Sequence, residues 1–123
     1  MNLNQITVPV SEIGRSIVFY EMLGLKLIVR SPEYARFECP DGDATFSIHK
    51  EDRLPDGDGI WVYFEVKELD SYVHALIAKG ITFDEMPNDK SWLWREAHLR
   101  DPDHNHLILY YAGDNRKNPP WRI

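Results

Sequence analysis

The chain runs through the same order of elements twice, and that repetition restricts its fold more than any single motif does. Gly24 and Gly80 each stand where a helix needs a left-handed residue to stop, and they lie 56 positions apart. At that spacing Val10 meets Val66, Glu12 meets Glu68, Ile13 meets Leu69 and Leu25 meets Ile81. Strand end, helix start and helix stop therefore coincide in the two halves, which predicts two βαβββ modules in an α+β fold.

The elements follow from periodicity. Over residues 3–10, Ile6, Val8 and Val10 alternate with Gln5, Thr7 and Pro9, the period of a half-buried strand. Ser11 is the predicted N-cap of a helix whose apolar stripe is Ile13, Ile17, Phe19, Tyr20 and Leu23. Residues 25–29, 35–39 and 44–49 alternate again, with a strong turn signal in Pro40-Asp41-Gly42-Asp43. Residues 50–58 are charged and read as a link between the halves. In the second half Val62, Phe64 and Val66 alternate with Trp61, Tyr63 and Glu65, and a helix is expected over 69–79. A strand begins at Ile81 and Phe83 and is expected to break at Pro87-Asn88-Asp89. Residues 92–100 and 107–111 complete the pattern around the turn Asp101-Pro102-Asp103. The expected organisation is one domain, 1–123, made of modules 1–54 and 59–112 with a tail at 113–123.

A chain of 123 residues can bury roughly two-thirds of its unfolded surface and needs neither disulfide nor structural metal to fold. Cys39 is its single cysteine, so no internal disulfide forms, which fits a reducing cytoplasm. The N-terminus lacks the basic and apolar regions of a signal peptide, and no apolar run approaches the ~20 residues that span a bilayer. A net charge of −6 disfavours phosphate backbones. A cytoplasmic protein without nucleic-acid or membrane partners is expected.

Two stretches resemble a known family. Gln5-Ile6-Thr7-Val8-Pro9-Val10-Ser11-Glu12, followed by Arg15-Ser16-Ile17-Val18-Phe19-Tyr20 and Leu23-Gly24, is similar to the first-module signature of the vicinal oxygen chelate superfamily. That superfamily holds the glyoxalases, bleomycin-resistance proteins and extradiol dioxygenases. Asp101-Pro102-Asp103-His104-Asn105-His106 resembles its Asp-Pro-Asp-Gly-Asn turn, with His104 where Gly is usual, so a positive φ is expected there. The resemblance implies modules curled into half-barrels with helices outside, a cleft between paired modules, and often a homodimer. It implies no single reaction, since lyases, isomerases, dioxygenases, thiol transferases and drug binders share the fold.

Alternation then assigns the cleft face to Gln5, Thr7, Ser47, His49, Trp61, Tyr63, Glu65, Trp94, Glu96, His98, His106, Ile108 and Tyr110. The resemblance places the family's four metal ligands at Gln5, Ser47, Trp61 and Ile108. Serine is a poor ligand, and Trp and Ile offer a cation no lone pair, so no metal cofactor is expected. Chemistry that relies on a metal as Lewis acid is then not expected either. Trp61, Tyr63, Trp94 and Tyr110 with Glu65 and Glu96 suit a small aromatic or cationic ligand, or alternatively a dimer interface. The competing reading is an enzyme of lyase, isomerase or dioxygenase type. It would use His49, Glu65, Glu96 or His98 for acid–base work, or a divalent metal relocated among these and His106. Glu96 and His98 lie i, i+2 on one strand, ~6.6 Å apart on one face.

Overall fold

In the computed structural model, which describes all 123 residues, both predicted helix stops are observed. The first unit, Met1–Gly59 with Asp101–Asn105, holds β1 (Gln5–Val10), α1 (Ile13–Leu23), β2 (Lys26–Arg30), β3 (Tyr34–Glu38) and β4 (Thr45–Lys50). The second, Ile60–Arg100 with His106–Ile123, holds β5 (Trp61–Glu65), α2 (Leu69–Ala78), β6 (Phe83–Asp89), β7 (Arg95–Arg100) and β8 (His106–Tyr111). A short 3-10 helix, Gly113–Arg116, follows. Each unit carries a four-stranded mixed sheet, ordered β1-β4-β3-β2 in one and β5-β8-β7-β6 in the other. The α+β fold of two βαβββ modules is thus observed. No helix is long and apolar enough to cross a membrane.

The repeat is visible at backbone level. Gly24 has φ 113° and Gly80 φ 99°, the left-handed region that a side chain rarely adopts. Leu25 N–H returns to the Tyr20 carbonyl and Ile81 N–H to the Leu76 carbonyl, the same helix-ending bond in both modules. Beyond the glycines the spacing changes. Gln5 pairs with Thr45 and Trp61 with His106, so the last strands stand 61 positions apart where the first stand 56 apart. The extra length enters between Gly80 and β7, where β6 bears two register irregularities and ends in a hairpin.

Two local expectations are corrected. Glu12, not Ser11, caps α1, its carboxylate accepting from the backbone N–H groups of Gly14 and Arg15 at 2.9 Å each. Ser11 instead gives its hydroxyl and backbone N–H to Asp103, which also pairs with Arg15 at 3.0 Å. Nor does Pro87 break β6, which runs to Asp89. β6 is an edge strand with irregular pairing, and there a missing N–H costs no ladder bond. His104 has the expected positive φ, 68°, as does Leu93 at 67°, which was not foreseen.

In the first unit the core forms where α1 lies on the sheet. The Tyr20 ring sits 4.7 Å from Phe46 and 5.7 Å from Phe37, and all three are fully buried. Burying each such ring stabilises by about 2–3 kcal/mol. The Tyr20 hydroxyl reaches through this core to Asp101 at 2.6 Å. In the second unit α2 buries Leu69, Val73 and Leu76, and Val62, Leu99, Leu107 and Leu109 are buried in the sheet. β8, a central strand, is buried along both faces through Tyr110.

Candidate functional site

Strand register in the second unit puts the chemistry on one face. Trp61, Tyr63 and Glu65 of β5 stand opposite His106, Ile108 and Tyr110 of β8. Those three stand opposite Arg100, His98 and Glu96 of β7. An aromatic group forms at one end. The Trp94 ring stacks on Tyr110 at 4.7 Å and 21°, and Tyr63 meets both edge-on, at 5.8 Å and 5.5 Å. Ile108 and Ala112 pack into the same cluster. Tyr110 is buried, Trp94 is half-buried and Tyr63 remains 41% exposed, so the open ring surface of the group belongs to Tyr63 and Trp94.

A polar chain runs beside it. Glu96 is 2% exposed, and a charge so buried must be compensated. It accepts the Trp92 indole N–H at 2.6 Å and lies 2.9 Å from His98 Nε2. The Nδ1 of His98 is 2.8 Å from His106 Nε2, and the Trp61 ring lies 4.8 Å from that second imidazole. The carboxylate and the two imidazoles thus form a continuous hydrogen-bonded chain across the face. Glu85 Oε2 stands 3.4 Å from His98 Nε2. Its carboxyl is held below the usual range by hydrogen bonds from Lys90, then Asn88, against the opposing effect of burial. The Trp92 arm and the residues Glu85, Asn88 and Lys90 come from the β6–β7 hairpin and were not placed in the site by sequence. Alternation is weak where β6 is irregular.

Glu65 sits apart from this chain. Its Oε2 accepts from the backbone N–H groups of Ala112 and Gly113 at 2.9 Å each, and Arg116 lies 4.0 Å from its Oε1, so it anchors the segment after β8. His49, in the first unit, is exposed and lies 3.1 Å from Glu51. It is not joined to Ser47, whose buried hydroxyl bonds to Thr7 at 2.6 Å. Gln5 Oε1 accepts from the Thr45 hydroxyl at 2.7 Å.

The four family metal positions can be tested on donor chemistry. Ser47 and Gln5 offer neutral oxygens already engaged, Trp61 turns its ring to His106, and Ile108 is an alkyl group in an apolar cluster. That set does not fit a divalent cation. A solvent-open depression of about 290 Å³ lies elsewhere, at the start of α1 beside Arg30 and Lys50. The Glu12 carboxylate already occupies the helix N–H groups there, so the chemistry of the second sheet outweighs this concavity.

The tyrosines report the fields around them. Burial, then the Glu96 charge, raises the Tyr63 phenol above its ordinary 10.0, and burial, then Glu65, raises that of Tyr110. Burial and Asp101 raise Tyr20 well above 10.0. Tyr34 goes the other way. Burial pushes it up, but hydrogen bonding by Ser47, Arg36 and Gln5 and the Arg36 charge outweigh that and hold it below 10.0. A titration of phenolate absorbance is therefore expected to start with Tyr34, the step that Tyr34→Phe removes. Tyr20 should ionise only as the protein unfolds. Its raised value contributes stability that is complete below pH 10.0 and lost as pH climbs through the folded-state value.

Comparison with known proteins places the chain among relatives. The model of the Glyoxalase/Bleomycin resistance protein/Dioxygenase superfamily matches residues 2–109. The chain is 30% identical over 127 residues to the uncharacterized protein YraH of Bacillus subtilis strain 168, spanning 89% of this chain and 98% of that one. Among solved structures, a glyoxalase/bleomycin resistance protein/dioxygenase from Nocardioides is similar with a TM-score of 0.76 and 23% identity, covering 91% of this chain and 83% of the other. A bleomycin resistance determinant encoded on the transposon Tn5 is similar with a TM-score of 0.77 and 18% identity, covering 90% and 98%. Likeness at these identities speaks to fold alone.

Proposed function

Taking as premise that this chain belongs to the glyoxalase/bleomycin resistance protein/dioxygenase superfamily, we propose that it binds a small planar cation on the aromatic face of its second sheet, without the family's inherited metal positions. One observation carries the reading. Tyr63, Trp94 and Tyr110 form a stacked and edge-on group whose two phenols are both raised, in part by neighbouring carboxylates. Burial is the larger cause of both shifts and disfavours any charge, but the part due to Glu96 and Glu65 favours a cation at the same place, and ring faces add cation–π attraction.

Ethidium, a planar aromatic cation, serves as probe with tryptophan fluorescence as readout. Saturable quenching is expected, weakened about tenfold (~1.4 kcal/mol) by Trp94→Ala. An unchanged affinity in that variant, or equal binding of a neutral planar hydrocarbon, overturns the reading.

The Glu96–His98–His106 chain favours a second reading, acid–base catalysis. A carboxylate-oriented imidazole bonded to another imidazole can pass a proton along the face. Under that reading His98→Gln abolishes a turnover while sparing ligand affinity. Under simple binding there is no turnover to lose.

A further inference from the structure

The first unit has a polar face of its own, and its register is well defined. Thr7 of β1 pairs with Ser47 of β4, which pairs with Arg36 of β3, so the three side chains form one rung across the sheet. Tyr34 stands in the next rung, opposite His49. The chain carries 20 acidic side chains against 14 lysines and arginines, and four of its eight arginines pair with carboxylates. Arg15 pairs with Asp103, Arg95 with Asp70 and Asp89, Arg100 with Asp84 and Arg116 with Glu65. Arg36 differs. Its Nε donates to the Tyr34 hydroxyl at 2.9 Å, and its guanidinium carbon lies 5.5 Å from that ring's centre. The carboxylate nearest along its strand, Glu38, is exposed and turned to Lys26 at 3.7 Å.

We propose that this face binds a small organic carboxylate, with Arg36 as its ion-pair partner. A guanidinium has five N–H donors in a planar fork that matches a carboxylate, and one of them is used here. The local field agrees, because the Tyr34 phenol is held below its ordinary value by the same Arg36 and Ser47 groups. One guanidinium with neutral hydroxyls balances one negative charge, which favours a carboxylate over a phosphate dianion. This site stands independently of the cation reading for the second sheet.

Benzoate is the probe, followed by amide chemical shifts at neutral pH and constant ionic strength, with inorganic phosphate and chloride as controls. Saturable shifts are expected at Thr7, Tyr34, Arg36 and Ser47, and saturating benzoate should move the Tyr34 titration upward. Arg36→Gln is expected to weaken binding by about tenfold or more, and Arg36→Lys, which keeps the charge without the fork, by less. Both variants are to be compared by spectral dispersion, so that loss of fold is not read as loss of binding. Three outcomes overturn the proposal: full affinity in a folded Arg36→Gln variant, identical shifts with chloride or phosphate (an adventitious ion only), or benzoate shifts centred on residues 61–65 and 106–110. Ethidium binding is not expected to change in the Arg36 variants, so failure of one reading is distinguishable from failure of the other.

Discussion

Replacing Asp101 with Ala is expected to destabilise the protein by about 3–5 kcal/mol, a fall in Tm of roughly 10–20 °C by thermal denaturation. The size follows from how much one carboxylate does. Asp101 is 3% exposed and accepts the Tyr20 hydroxyl at 2.6 Å, the backbone N–H groups of Asp103 and Asn105 at 2.9 Å each, and the Asn105 amide at 2.8 Å. Alanine leaves a buried phenol and two backbone donors without acceptors, and each such orphan costs about 1–3 kcal/mol. Asp101→Asn retains an acceptor oxygen and should cost less, and Tyr20→Phe, which removes one bond of four, should cost only about 1–2 kcal/mol. A loss below about 1 kcal/mol for Asp101→Ala would show that water replaces the carboxylate.

Glu96→Ala should give the second large effect, a loss of about 2–4 kcal/mol, because it removes the acceptor of both the Trp92 indole and His98. Glu96→Gln keeps the volume and one acceptor and should cost about 1 kcal/mol. The informative readout is fluorescence. Trp92 is 45% exposed and reaches Glu96 from the β6–β7 hairpin, with Lys90 6.0 Å from its ring. Once Glu96 is lost, the indole should turn to water, shifting emission to the red and raising its quenching by acrylamide. The change should vanish in a Trp92→Phe background. If emission and quenching stay as in the parent, packing rather than the carboxylate holds the indole.

Much of the fold was legible because two periods and two glycines specify it. Strict alternation in β1, β4 and β5 identified the buried side correctly, with Val8, Phe46, Ile48 and Val62 inside. The helix stops were readable because few residues other than glycine accept the left-handed turn at Gly24 and Gly80. What was not legible depends on distant partners. Ser11 reads as a cap until Asp103, 92 residues away, takes its hydrogen bonds and leaves Glu12 to the helix. Pro87 reads as a break until the topology puts β6 at an edge.

The candidate site shows the same division. Parity alone placed Trp61, Tyr63, Glu96 and His98 on a common face, and the register brings them together. It could not show that Glu96 is almost wholly enclosed, since an isolated glutamate in a strand ordinarily reads as solvated. Arg36 and Tyr34 also alternate outward from buried Ala35 and Phe37, so their face was readable. Their i, i+2 spacing puts the two side by side, but it does not say that the guanidinium donates to the phenol and not to a carboxylate.

The turn Asp101–Asn105 belongs with the first unit although both of its flanks belong to the second. Seen in the order of synthesis, the half of the chain that leaves the ribosome first cannot complete its own contacts until residues 101–105 have followed it. Tyr20 waits for its acceptor until residue 101 has been made, and Pro9 for the Asn105 amide until residue 105 has. An N-terminal fragment ending in the link between the modules carries every strand of the first sheet and still lacks the carboxylate at its centre.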